Sequence, residues 1–194
     1  GSRYRYGIDG VGWVQTDIGS SLVLKKGQTV SFSSGAGVIT KFAFDEKCNL
    51  LGNCLSILFA DEAKGKTDIS LFPSCFSMLF YKCSTIVSVS ANFLPATILS
   101  RDCYRETFYG CTSLVSGPEL PALELKNDCY FNLFYGCKSL NYIKMLATDI
   151  SASGCLDYWV YGVAASGTFV KNKNATWNEI GSDGIPRGWT IISE

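Results

Sequence analysis

The sequence predicts an α/β fold, a right-handed solenoid with a parallel sheet that follows a small β-rich module. Three observations predict it: a motif that recurs at a fixed period, an apolar pattern shared by the copies, and a different, alternating pattern before the first copy. The first cysteines of successive copies are 28, 26 and 26 residues apart. Such a period is typical of solenoids, whose units bury their apolar faces only by stacking on their neighbours. The copies read CFSMLFYKCSTI at 75–86, CYRETFYGCTSL at 103–114, CYFNLFYGCKSL at 129–140 and, in decayed form, CLDYWVYGVAAS at 155–166.

The β-rich N-terminal module is predicted to span residues 1–45. Alternation around glycines predicts strands at 4–10 and 13–15, and two apolar runs on either side of a Lys-Lys-Gly-Gln turn predict a β-hairpin at 22–32. The Ser- and Gly-rich stretch 33–37 is predicted to be a hinge before the solenoid.

The solenoid is predicted to span residues 46–168 and to open with a cap. Cys54 and Phe59 keep the Cys-to-Phe spacing of the motif, so we interpret 54–59 as a decayed first repeat. In a full copy, the apolar positions after Cys103 fall at i+1, i+4, i+5 and i+8, a spacing that predicts one face of a short helix. We expect Asp102 and Asp128 to be the N-caps of two such helices. Their left-handed ends are predicted at Gly110 and Gly136.

A short parallel strand is predicted after each helix. Leu114, Gly117 and Leu120 keep the loose apolar rhythm of Leu140, Ile143 and Met145, and the Leu-Pro-Ala triplets at 94–96 and 120–122 end the strands because proline cannot donate to a ladder. Each unit therefore reads as strand, turn, helix, turn. The C-terminal cap is predicted at 169–194, with 167–170 as the capping strand and Trp177 and Trp189 closing the exposed end of the core.

The composition excludes several classes of function. Lys+Arg and Asp+Glu are 17 each, so net charge gives no reason to expect nucleic acid as a partner. No apolar run reaches transmembrane length, and we expect any signal peptide to have been removed. The absence of histidine excludes Ser-His-Asp and Cys-His catalysis and His-ligated metals. We therefore predict no catalysis, no metal site and no cofactor.

The nine cysteines follow the repeat rather than a metal or redox motif. Within a full copy the two cysteines are eight residues apart, and no CxxC occurs. The interpretation that we favour is two columns of small, buried, free thiols, with disulfides as the alternative. Seven cysteines occupy repeat positions: Cys75, Cys83, Cys103, Cys111, Cys129, Cys137 and Cys155.

The residues also resemble a known family. The motif CYxxxFYGCxSL followed by PELPA resembles the leucine-rich repeats of BspA-like surface proteins, which are abundant in gut Bacteroidetes such as Bacteroides. The stretch 141–172 and the later GIPRGWT at 184–190 are similar to the C-terminal end of those proteins. The resemblance covers about 50–190 and implies a leucine-rich-repeat solenoid, export to the outer-membrane surface or secretion, and a role in binding or adhesion. A lipid anchor in a longer form of the protein is an option under this resemblance.

Two surfaces are candidates for ligand binding. The first is a row of tyrosines, each six residues after the first cysteine of its copy, at positions Tyr81, Tyr109, Tyr135 and Tyr161. Stacked units would turn these into an aromatic ladder for sugar rings; the alternative is that each ring packs between helices with only its hydroxyl in water. The second is the strand face that points away from the helices, where the alternative is an ordinary solvated surface. Its residues would be Ser88, Ser90, Ser116, Glu119, Tyr142 and Lys144.

Three functions of different class follow from these features. The first is a non-enzymatic cell-surface module that binds a host protein or a glycan. The second is a structural spacer that holds other domains of a longer surface protein. An enzyme comes third, because there is no histidine and no cluster of polar residues in the sequence.

Overall fold

The structure, a computed structural model, describes residues 4–8, 11–16, 23, 28, 30–33 and 41–194. The N-terminal strands β1 (Tyr4–Ile8), β2 (Val11–Thr16) and β3 (Val30–Ser33) form an antiparallel sheet in the order β2-β1-β3. The second half of the predicted hairpin is thus strand β3, which pairs with β1. Most of its predicted partner at 22–24, the turn before β3 and the predicted hinge at 34–37 lie outside the described residues.

The remaining strands form one parallel sheet of six, in chain order, with one strand for each unit of the solenoid. This arrangement confirms the predicted solenoid with a parallel sheet, and the strands near Ile86, Leu114 and Leu140 pair in parallel as expected. The strands are β4 (Cys48–Leu50), β5 (Ile86–Val89), β6 (Ser116–Leu120), β7 (Tyr142–Met145), β8 (Thr168–Lys171) and β9 (Thr190–Ser193). The strand predicted at 167–170 is present as β8, but it does not cap the sheet, because β9 pairs along the whole of β8 and extends the sheet by one strand.

The prediction of a helix inside each motif copy is wrong, and the structure has a ribbon of β-turns in place of each helix. Among the described residues, the α-helix is α1 (Leu55–Phe59), and two 3₁₀ turns span Ala60–Ala63 and Ala91–Phe93. In the ribbon, alternate amides donate to the carbonyl three residues back, as from Thr107 to Tyr104. The amides between them donate to the next unit, as from Phe108 to Leu133 at 3.0 Å.

The ribbon has a period of four residues, which explains why its apolar pattern resembles that of a helix. Every fourth backbone has a positive φ: 56° at Asp102, 55° at Glu106 and 70° at Gly110. The apolar spacing i, i+1, i+4, i+5, i+8 fits a period of four as well as it fits 3.6 over so short a stretch. Asp102 and Asp128 are therefore not N-caps, and each holds the left-handed position that opens a ribbon. The left-handed conformation predicted for Gly110 and Gly136 is confirmed.

The core lies between the ribbon and the sheet and runs without a break from one end of the solenoid to the other. The predicted columns of buried free thiols are confirmed, since all seven repeat cysteines are free and buried. Next to them the rings of Phe80, Phe108 and Phe134 stack at centroid distances of 5.6 and 5.8 Å. Trp159 continues this column at 6.2 Å from Phe134.

The C-terminal end of the core is closed by the two predicted tryptophans. Trp177 and Trp189 are buried, and their indole N–H groups donate to the carbonyls of Ala147 and Ala164 at 2.8 and 2.7 Å. Lys171 is buried beside them, and its ammonium donates a hydrogen bond to the carbonyl of Trp177 at 2.7 Å. The prediction that these tryptophans pack rather than bind a ligand is thus supported by their burial.

Candidate functional site

The four predicted tyrosines form one column along the outside of the ribbon. Each follows a buried ribbon residue and precedes a left-handed one, so its side chain leaves the ribbon on the solvent side. The spacing of the rings follows from the hydrogen bonds between units, because the amide after each of the first three tyrosines donates to the carbonyl of the next tyrosine. Neighbouring ring centroids from Tyr81 to Tyr161 are 4.7, 4.7 and 4.9 Å apart, with interplanar angles of 21°, 1° and 22°. We call this set the tyrosine column.

Stacking limits which atoms of the tyrosine column a ligand can reach. Tyr109 and Tyr135 have a ring on each side, so both of their faces are covered and their edges and hydroxyls remain available. The rings are half-buried rather than buried, and Tyr161 is 51% exposed. The pKa of the Tyr109 phenol is raised, mainly by partial desolvation and to a smaller extent by the neighbouring phenols of Tyr135 and Tyr81. This hydroxyl therefore stays a hydrogen-bond donor at neutral pH.

The two ends of the tyrosine column differ in their surroundings. At the N-terminal end, the ammonium groups of Lys41 and Lys82 lie 5.5 and 5.2 Å from the centroid of the Tyr81 ring, within cation–π range. At the C-terminal end, Tyr158 meets Tyr161 nearly perpendicularly, at 75° and a centroid distance of 6.4 Å. The ends therefore have ring faces that the middle of the column does not offer.

The second candidate surface is a row of polar side chains across the sheet. Ser88, Ser116 and Tyr142 pair directly with one another on adjacent strands. The row continues to Thr168 and Thr190, which sequence reasoning missed because β8 and β9 follow no full copy of the motif. Ser88 and Ser90 are partly committed within the fold: their hydroxyls donate to the Asn49 side chain at 2.7 Å and to the Gly52 carbonyl at 2.8 Å.

A charged group stands beside that polar row. Lys144 and Glu119 pair across β6 and β7, with 3.5 Å between the ammonium and the carboxylate. Glu194 forms a second ion pair with Lys144. The hydrogen bond with Glu194 is the main reason that the pKa of Lys144 is raised, with Glu119 adding to it. These three groups leave one net negative charge, and they are exposed enough that their ion pairs contribute little to stability.

The two candidate surfaces do not meet in one site. The core separates the ribbon from the sheet, and Phe134 of the ribbon packs against Gly117 of β6 across it. The tyrosine column and the polar row therefore face different sides of the solenoid, and a small ligand contacts one or the other.

A shallow pocket of about 470 Å³ opens at the C-terminal end of the tyrosine column. Its walls are the end of the last motif copy, including Tyr161 and Gly162, and the loop before β9, including Ser182, Pro186 and Arg187. Sequence reasoning did not select Arg187, although this residue lies inside the quoted GIPRGWT segment.

The buried thiols are unsuited to act as nucleophiles. Burial raises the pKa of Cys75 to about 12 and that of Cys155 to about 11, so both thiols are protonated at neutral pH. In residues 41–194 and the described N-terminal strands, no group of three His, Cys, Asp or Glu side chains is placed to hold a metal ion. Nor does any helix in this part of the chain have the length and hydropathy to span a bilayer.

Comparison with known proteins gave no relative. No protein-family model, no curated protein and no solved structure matches the chain.

Proposed function

We propose that the protein is a non-enzymatic binding or adhesion module of the BspA-like leucine-rich-repeat class, exported to the cell surface, that recognises a host protein or a glycan. The observation that carries the proposal is the tyrosine column, which crosses four stacked units on the outside of the solenoid. The copies repeat an amphipathic aromatic residue at this solvent-facing position, and its edge and hydroxyl stay accessible although neighbouring rings stack. The stacking of the units joins the four tyrosine side chains into one continuous strip.

The chemistry of the strip suits a polyhydroxylated or amphipathic partner. Its inner rings offer apolar edges and a line of hydroxyls that both donate and accept hydrogen bonds. At its N-terminal end lies Lys82, whose side chain is exposed. Rings locked by stacking lose little conformational entropy when a ligand binds, which favours affinity.

A structural spacer is the second candidate, and the continuous core favours it. Alternate ribbon amides bond each unit to the next, and the phenylalanine column runs through the same units. Such a stack resists bending, as a rigid connection between other domains would require. Catalysis is the least favoured function, and we expect no turnover of glycans, esters or peptides in a broad substrate screen.

A glycan and matrix-protein array on the purified chain tests the proposal. Binding should be reduced in a variant with Tyr109→Ala and Tyr135→Ala, which removes the inner rings, and retained in the matched variant with Tyr142→Ala and Lys144→Ala on the sheet. The reverse result would move the site to the polar row. If the folded wild-type chain binds nothing on either array, the spacer is the better description.

A further inference from the structure

The C-terminal end of the ribbon lacks two interactions that every earlier unit receives from the next one. In the earlier units the tyrosine ring is covered by the next tyrosine, and the following amide, at Lys82, Gly110 and Gly136, donates to that tyrosine's carbonyl. No fifth ring is stacked on Tyr161 within the described chain. The amide of Gly162, at the same position, has no acceptor among the described residues.

The loop before β9 replaces the missing unit only in part. The Ser182 carbonyl accepts from the Val160 amide at 3.2 Å, and the Asp183 carboxylate accepts from the Tyr158 amide at 2.7 Å. The Gly184 carbonyl accepts from the Trp159 indole at 2.8 Å. The loop therefore supplies hydrogen-bond acceptors to residues 158–160 of the last ribbon. It does not reach Tyr161 and Gly162, where the pocket opens.

Arg187 gives this pocket a positive charge. The side chain lies on the exposed part of the loop and lines the pocket. Within the part of the chain that the structure describes, no carboxylate lies within ion-pair distance of its guanidinium. The nearest acidic residue in the loop, Asp183, already accepts from Tyr158 and from the Ser182 hydroxyl. A planar guanidinium with free donors binds carboxylates through paired hydrogen bonds.

We propose that this pocket binds a carboxylate-bearing sugar ring, such as a uronic acid at the end of a glycan. The ring's apolar face would stack on Tyr161 where a fifth tyrosine is missing, and its carboxylate would accept from Arg187. A ring hydroxyl or the carboxylate would accept from the Gly162 amide, as the next tyrosine carbonyl does elsewhere. The inference rests on the proposed glycan-binding function and adds the class of sugar and its place on the fold.

The pocket favours a sugar over an aromatic side chain because of its rim. The Gly162 amide and the Ser182 hydroxyl line the pocket beside the single aromatic face, so a ring with hydroxyls on its edge finds partners that a phenyl ring does not. A second copy of the chain cannot supply the missing unit at this end, since the ordered loop over Val160 and Trp159 covers the rest of the ribbon edge.

The test is an NMR titration of the full chain that follows the backbone amide of Gly162. We expect methyl glucuronide to shift this amide saturably, methyl glucoside to do so more weakly, and acetate to leave it unchanged. Arg187→Gln should weaken the glucuronide affinity by about tenfold to a hundredfold, the value of a charge-assisted hydrogen-bond pair. Lys173→Gln, which removes an exposed charge outside the pocket, should leave the affinity unchanged.

A second pair of variants tests the stacking. Tyr161→Leu keeps an apolar side chain but removes the flat ring and should abolish the titration, whereas Tyr81→Leu at the other end of the column should not. The indole N–H signal of Trp189 reports whether each variant is folded. No saturable shift of Gly162 with glucuronide overturns the inference. Tighter binding of phenylacetate than of glucuronide overturns the assignment to a sugar.

Failure of this site is distinguishable from failure of the proposed function. Array binding that survives both Arg187→Gln and Tyr161→Leu would exclude the terminal pocket and leave the binding function in place. Titration of Gly162 by glucuronide with no ligand on either array would support the pocket and count against adhesion through the column.

Discussion

Two glycines of the solenoid differ in what a side chain would meet at each position. At Gly167, just before β8, an added Cβ would overlap the carbonyl oxygen of Asn141 and lie 2.8 Å from the ring of Trp189. At Gly136, in the ribbon, the nearest atom would be the Cα of Gly110 at 3.9 Å, but the backbone φ is +71°. The first glycine is therefore required by close packing of β8 on the previous unit, and the second by conformation alone.

This difference predicts unequal effects of alanine at the two positions. Gly167→Ala should lower the free energy of unfolding by about 3 kcal/mol, because backbone and a buried indole have to move. Gly136→Ala should cost about 1 kcal/mol, the penalty of a left-handed conformation for a residue with a Cβ. Urea unfolding followed by tryptophan fluorescence measures both. Equal losses for the two variants would contradict this account of the β8 contact.

At the scale of the element, the ribbon shows where sequence reasoning succeeds and where it stops. The recurrence of the motif predicts the unit length, the one strand per unit, the buried thiols and the alignment of the four tyrosines, because stacking makes equal positions neighbours. The helix prediction is wrong because a period of four and a period of 3.6 coincide over nine residues. The clue in the sequence is the residue at every fourth position: Asp102 and Gly110 both tolerate a positive φ.

The phenylalanine column should carry a large part of the stability of the ribbon. Phe108 is fully buried and stacks on Phe80 and Phe134 within 6 Å on both sides. Phe108→Ala should reduce the free energy of unfolding by about 3–5 kcal/mol, because it leaves a cavity between two rings and removes both ring contacts. Phe108→Leu should cost about 1–2 kcal/mol, since most of the volume remains. A loss below about 1 kcal/mol for the alanine variant would mean that the column does not extend through this unit.

At the scale of the whole molecule, the ends of the solenoid are the part that the motif could not reveal. Strands β4 and β9 belong to end units without a full motif copy, so four copies in the sequence become six strands in the sheet. Thr168, Thr190 and Arg187 lie outside the full motif copies, so the recurrence of the motif could not identify them. What unites the units is the core, in which Cys48 lies near Cys83 and Cys54 near Cys75, so the N-terminal end unit continues both thiol columns.

The thiol columns predict a sharp contrast in chemical accessibility. In the native chain at pH 8, alkylation should be confined to Cys48, the cysteine that is only half-buried. In urea without reductant all nine should react, because all nine are free. Mass spectrometry of the two samples makes the comparison. Several alkylated repeat cysteines in the native sample, or disulfides in the denatured one, would contradict the arrangement.

The same columns predict that the whole molecule loses stability in base. Burial raises the pKa of Cys48 and Cys155 from 9.0 to about 11 and that of Cys75 to about 12, and it also raises the pKa of Cys103 and others deep in the core. Between pH 9 and these raised values the folded chain holds protons that the unfolded chain has released. The free energy of unfolding therefore falls as pH rises, by up to about 1.4 kcal/mol per pH unit for each deeply buried thiol, and the contribution is complete below pH 9.

Urea midpoints under reducing conditions at pH 7.5, 8.5, 9.5 and 10.5 measure this dependence. They should be level up to about pH 8.5 and then drop steeply, because several buried thiols act in the same direction. Cys103→Ala, which removes one titrating group from the core, should make the drop shallower between pH 9 and 10 even though the variant is less stable at pH 7.5. Tyr104 and Tyr130, whose pKa burial also raises, add to the loss only above about pH 10, so the interval from 9 to 10 isolates the cysteines. Midpoints that stay level to pH 10 would show that the thiols are not excluded from water in the way that a continuous core requires.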